Sequence, residues 1–102
     1  MFVQDPVLMF LASRLARRSS QILPLNIVKQ KQSYVVGHKR KHFKSDDEFI
    51  DEVCKLTFVK VSGLWKLYWK RADLKWHLCE TYDNLESAAN EINQDPRGCF
   101  FG

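Results

Sequence analysis

Long hydrophobic runs are missing from this sequence. The longest near its start, Val7 to Ala12, is far short of the roughly 18 residues that a helix needs to cross lipid. It also makes a poor signal sequence, because Arg14, Arg17 and Arg18 follow the apolar run instead of preceding it. Cysteine is scarce and odd in number. Cys54, Cys79 and Cys99 show no paired spacing, which argues against a disulfide framework and agrees with a reducing compartment. Repeats and low-complexity linkers are absent. A cytoplasmic protein without a membrane segment is the expectation.

What is present suits a globular domain. At 102 residues the chain is long enough for one core without metal or disulfide staples. Hydrophobic residues at 45% and charged residues at 27% are ordinary values for a folded domain. We expect residues 1–102 to form a single domain. The net charge of +4 conceals blocks of one sign. Residues 1–44 carry nine Lys/Arg and one Asp, and residues 45–54 carry five acids and no base. Residues 55–77 return to six bases and one acid, and residues 78–102 hold five acids and Arg97. Such blocks can pair within the fold, pair between subunits, or leave a basic surface for an anionic partner.

Asp5-Pro6 is a helix start, and Leu8, Leu11, Ala12, Leu15 and Ala16 follow at helical spacing. A helix from Pro6 to about Ser19 is expected, with its arginines near its negative end. Ile27 to Lys29 and Ser33 to His38 read as a strand pair, with Gly37 as an end or bulge. His38 to Lys44 reads as a basic loop or edge. Ser45 with Glu48 is a capping-box pattern, so a short helical turn or an acidic loop is expected before residue 54.

The stretch from Leu56 to Cys79 carries the clearest pattern. A two-residue loop at Ser62-Gly63 sets Phe58 opposite Leu67 and Leu56 opposite Trp69. A second, at Ala72-Asp73, sets Trp69 opposite Trp76 and Leu67 opposite Leu78, although a longer loop is open there because that pair is not a favoured turn. Leu56, Phe58, Trp65, Leu67, Trp69, Leu74, Trp76 and Leu78 then share one face. Thr57, Lys66, Tyr68, Lys70, Lys75 and His77 share the other. This alternation predicts an antiparallel meander with one dry and one wet face. Asp83 with Glu86 opens a last helix whose stripe is Leu85, Ala88, Ala89 and Ile92, ended by Pro96. The two phenylalanines of the tail, Phe100 and Phe101, imply that it packs back. The expected fold is α+β: about five antiparallel strands in a meander, with an N-terminal and a C-terminal helix on one face.

The run Trp65 to His77 resembles the signature of an uncharacterised family of small bacterial proteins catalogued as domain of unknown function 3024. The ending Asp95-Pro96-Arg97-Gly98-Cys99-Phe100-Phe101-Gly102 is similar to that family's C-terminus. The resemblance implies a fold and a bacterial source, and no activity, substrate or cofactor.

Candidate sites are few. Lys66, Tyr68, Lys70, Lys75 and His77 form a basic, aromatic sheet face of the kind that holds phosphates and stacks bases in single-stranded nucleic acids. Lysines that merely solvate an exposed sheet face are the plain alternative. His38, Lys39, Arg40 and Lys41 form a second basic patch. His38 and His42, or His77 and Cys79, are too few and too far apart for zinc, since four extended residues span roughly 13 Å. No cysteine has a histidine set up as its base, so a non-enzymatic protein is expected. No cofactor and no small-molecule substrate is indicated. A binding or interaction module is the first functional expectation, with an outer row that includes Val59, Val61 and Tyr68 as the surface for a homodimer. Single-stranded nucleic-acid binding is the second.

Overall fold

Asp5 begins the first helix as its spacing requires. Its carboxylate accepts a hydrogen bond from the backbone N–H of Val7 at 2.9 Å, and Pro6 takes the first helical position. The computed structural model describes residues 5–21, 23–42, 44–96, 98 and 100. Helix α1 spans Pro6–Arg14 and tightens into a 3-10 turn at Ala16–Arg18. The strands are β1 (Leu25–Gln30), β2 (Ser33–Lys41), β3 (Glu48–Val59), β4 (Leu64–Lys70) and β5 (Trp76–Tyr82), and helix α2 spans Leu85–Gln94. The sheet order is β1-β2-β3-β4-β5, with every neighbour antiparallel. The fold is thus α+β: a five-stranded meander with an N-terminal and a C-terminal helix on one face.

The core lies between that face and the helices. Tyr34, Leu56 and Leu67 lie opposite one another across β2, β3 and β4. Leu11 of α1, Leu15 just beyond its end, and Ala88, Ala89 and Ile92 of α2 close over them, with Val36, Val53 and Cys54. Trp65 and Trp69 pack at the margin of this cluster. Each large apolar side chain buried here contributes roughly 1.5–3 kcal/mol. The tail does return to the domain. Phe100 is buried in the same cluster, and its N–H donates to the Asp95 carboxylate at 3.1 Å. Cys99 and Phe101 lie outside the described residues.

Four local expectations change. The β3–β4 connection is four residues, Lys60 to Gly63, so Phe58 faces Trp65 and Leu56 faces Leu67. That is a shift of two residues, and a period of two leaves both faces as expected. The β4–β5 connection is five residues, Arg71 to Lys75, tightened by a Leu74 N–H to Arg71 C=O bond of 2.8 Å. Here the shift is a single residue. Trp69 faces His77, Tyr68 faces Leu78 and Lys70 faces Trp76. Trp76 and Leu78 therefore stand on the outer face, His77 stands with Trp69 on the helix side, and Leu74 is 76% exposed in the turn. A bulge between Leu67 and Tyr68 then brings Tyr82 opposite Trp65.

Residues 45–53 form neither a helical turn nor an acidic loop beyond Asp47. β2 continues to Lys41, and β3 starts at Glu48. The charge blocks explain the change, because Lys39 reaches Glu48 at 3.0 Å and Arg40 reaches Asp51 at 2.8 Å across the ladder. The cap of α2 is Asn84 in place of Asp83. Its side chain accepts from the Ser87 N–H at 2.8 Å.

The two helices are tied by Arg14 with Glu86 at 3.7 Å and by two arginines at the end of α2. Arg17 donates to Asn93 Oδ1 at 2.8 Å and to the Asn93 carbonyl at 2.6 Å. Arg18 Nε reaches the same carbonyl at 3.1 Å. These arginines serve the negative end of α2, not that of their own helix.

Two predictions follow from this packing. β2 bends at a bulge beside Gly37, where a Cβ would lie 2.8 Å from the backbone oxygen of Asp51. Gly37→Ala is therefore expected to destabilise the fold by about 1–3 kcal/mol in urea titration; an unchanged midpoint would contradict the close approach. The Tyr34 hydroxyl donates to Asp5 at 2.8 Å, and Lys29 reaches the same carboxylate at 3.1 Å. Burial and then this bond to Asp5 push the Tyr34 phenol up to about 12 from 10. The neutral phenol is thus favoured more in the folded than in the unfolded chain. The resulting stability is complete below pH 10 and declines as pH rises from 10 toward 12. Tyr34→Phe should remove this part of the alkaline decline when urea stability is compared between the two proteins across that window.

Candidate functional site

Neither helix covers the outer face of the sheet. Cross-strand partners share a face, so one row crosses all five strands: Val28, Val35, Lys55, Tyr68 and Leu78. A polar row of Ser33, Thr57, Lys66 and Thr81 runs on one side of it. Lys70 and Trp76 lie on the other side, with Glu52 from β3. The ends of the central row are exposed, Val28 at 42% and Leu78 at 55%.

The middle of this face is an aromatic and lysine cluster. Lys55 Nζ lies 4.7 Å from the Tyr68 ring centre and 5.2 Å from that of Trp76. Lys70 Nζ lies 5.4 Å from the Trp76 ring and is bound to the Glu52 carboxylate. Each such cation–ring contact is worth roughly 0.5–1 kcal/mol at an exposed site. The cluster holds the two rings beside two ammonium groups, an arrangement that accommodates a flat group and an anion together.

Of the five residues expected on this face, the structure brings together Lys66, Tyr68 and Lys70. Lys75 sits in the β4–β5 turn, where its N–H donates to Asp73 at 2.9 Å. His77 is on the helix side of the sheet and binds the Asp73 carboxylate at 2.9 Å. The Lys75 N–H and then the His77 ring hold Asp73 below the usual carboxylate range. Lys55 and Trp76 are the additions. Lys55 was readable, since it alternates in step with Thr57. Trp76 was not, because its face depends on the length of an unremarkable turn.

The second basic patch is divided. His38 is buried, 6% exposed, with its Nε2 donating to the Arg18 carbonyl at 3.1 Å. Lys39 and Arg40 are engaged by Glu48 and Asp51. Lys41 is exposed and lines a cleft of about 510 Å³ with Lys39, Arg40, Pro24 and Glu48. His42 is exposed and its ring lies tilted against Phe49, 4.7 Å between ring centres. Among the described residues, no group of three His, Cys, Asp or Glu side chains could hold a metal ion. Cys54 is fully buried, and burial, followed by Asp95 and Cys79, pushes its thiol well above the usual range. A thiol in that state is a packing group and a poor nucleophile. Among the described residues, no helix is long and apolar enough to cross a membrane.

Two further concavities lie on the helix side. A groove of about 400 Å³ runs between α1 and β1, bordered by Leu8, Ala12, Ala16 and Ile27. It exists because Ala12 and Ala16, small residues of the helical stripe, leave the sheet margin uncovered. A second cleft of about 390 Å³ opens where the start of α1 meets the β1–β2 and β3–β4 turns. Tyr34, Phe58 and Trp65 form its aromatic wall, and Lys29, Lys31 and Lys60 stand around it.

No curated protein and no solved structure matches this chain. One family model does match, over residues 8–102. That match takes in both the Trp65-to-His77 run, which builds β4, the following turn and the start of β5, and the tail that carries Phe100. The chain belongs to the family described as Domain of unknown function (DUF3024).

Proposed function

We propose that this protein is a non-catalytic binding module that engages single-stranded nucleic acid on the open face of its sheet. The observation that supports this reading is the pairing of Tyr68 and Trp76 with Lys55, Lys66 and Lys70 on the one face that no helix covers. An antiparallel sheet backed by helices and bearing aromatics on its free side is a recurrent platform for unstacked bases. Aromatic rings supply sequence-tolerant stacking, and the lysines supply contacts to phosphate. The net charge of +4 adds a favourable long-range field. Trp76 makes the face more aromatic than the sequence alone indicated.

The test is fluorescence anisotropy of a labelled oligo-dT strand as salt is varied. Binding should fall steeply with salt. Tyr68→Ala should weaken it by roughly 5- to 150-fold, the cost of one lost stacking contact. Lys66→Glu should weaken it and flatten its salt dependence. Retention that ignores both substitutions would remove the open face from consideration.

A second reading rests on the exposed ends of the central row. Val28 and Leu78 are apolar and sit at opposite edges of the same face, which suits a two-fold contact with another copy. Lysines brought toward lysines oppose it, so it ranks second. Light scattering should then show a dimer that Leu78→Asp converts to a monomer. A wild-type monomer at every concentration would rule this out.

A further inference from the structure

We infer that the cleft between the start of α1 and the β1–β2 and β3–β4 turns is a second binding site, for a small planar aromatic anion of about the size of a nucleoside monophosphate. The cleft is on the helix side of the sheet, so it is separate from the open face. It measures about 390 Å³, within the range of small-ligand sites. Its aromatic wall is ordered by its own contacts. Trp65 lies 5.0 Å from Phe58 and 6.2 Å from Tyr34 between ring centres, in tilted arrangements. Tyr34 is fixed further by its bond to Asp5. A flat ring entering here meets a rigid apolar surface that loses little freedom on binding.

The charges around the cleft select the ligand's sign. Lys29 is already engaged by Asp5, and that carboxylate is also satisfied by Tyr34 and the Val7 N–H. Lys31 and Lys60 are different. Each is exposed in a turn, and among the described residues neither forms an ion pair. The cleft therefore has two available cations beside an aromatic wall. Neutral aromatics would leave these ammonium groups unused, and simple anions would leave the wall unused.

The choice of residue at position 31 points the same way. Lys31 holds a left-handed backbone, φ 58°, in the tight β1–β2 turn. Glycine or asparagine suits such a position; the Cβ of other side chains crowds the backbone there. The turn itself gives no reason for lysine. An ammonium group beside the cleft does, and strain retained at a binding site is a known pattern.

Calorimetric titration with adenosine monophosphate, adenosine and inorganic phosphate tests the inference. Saturable binding of the monophosphate is expected, at least tenfold tighter than either fragment. Lys31→Gly should keep or raise the thermal midpoint while weakening binding by about tenfold, the value of one charged hydrogen bond. Lys60→Gln should weaken it similarly. Tyr68→Ala should leave it unchanged, which separates this site from the open face whether or not that face binds nucleic acid. The inference is overturned if the monophosphate does not bind at millimolar concentration. Equal binding of phosphate alone, or loss of binding in Tyr68→Ala with Lys31→Gly unaffected, overturns it as well.

Discussion

Leu56 and Leu67 face each other at the centre of the sheet, both fully excluded from water. Their burial fixes which side of β3 and β4 is dry, and a strand's period of two then assigns every other side chain on those strands. The helices follow from this assignment. Leu11, Leu15, Ala88 and Ile92 cover the dry side because it is where their own apolar stripes can be buried. The open face is the complementary consequence. Lys55, Lys66, Tyr68 and Lys70 stand there because their neighbours in sequence are committed to the core. Both the packing and the candidate binding surface thus come from one alternation.

Charge shapes the periphery in the same way that burial shapes the centre. His38 to Lys41 of the basic block and Glu48 to Cys54 of the acidic block become facing strands. Lys39 with Glu48 and Arg40 with Asp51 cross between them. Exposed pairs contribute little each, roughly 0.2–1 kcal/mol. Their effect here is on register and conformation, because β3 is drawn out to Glu48 where a cap motif alone would start a helix. Lys70 with Glu52 repeats the pattern toward β4. Lys39 and Arg40 of the apparent basic patch are thus neutralised by their own neighbours.

Much of this was legible in the sequence, and the reasons differ by segment. Strong alternation fixes the faces of β3 and β4 even though the turn between them is two residues longer than Ser62-Gly63 alone implies. At Ala72-Asp73 the register differs by a single residue, which puts Trp76, Leu78 and His77 on the opposite faces. Nothing local opposes that slip, since Trp76 is at home on either side of an edge strand. The capping signal at Ser45 misled because local hydrogen bonding was weaker than cross-strand pairing with a partner distant in sequence. The candidate face was legible where alternation was strong, at Lys66, Tyr68 and Lys70. The cleft was not legible, because Lys31 and Lys60 come from turns 29 positions apart that only the strand lengths bring together.

The contact of Arg17 and Arg18 with Asn93 has a topological meaning. In this sheet, neighbours in space are neighbours in sequence, so strand pairing closes only short loops. The arginine contact instead joins residues 75 and 76 positions apart. It closes the chain into a ring, with the first helix and the last holding each other over the centre of the sheet. Loop-closure entropy grows only slowly with length, and most of it is already met once the strands have assembled. The first and the last helix therefore clasp each other across the assembled sheet. Removing either helix takes away part of the cover over the leucines on which the sheet is built.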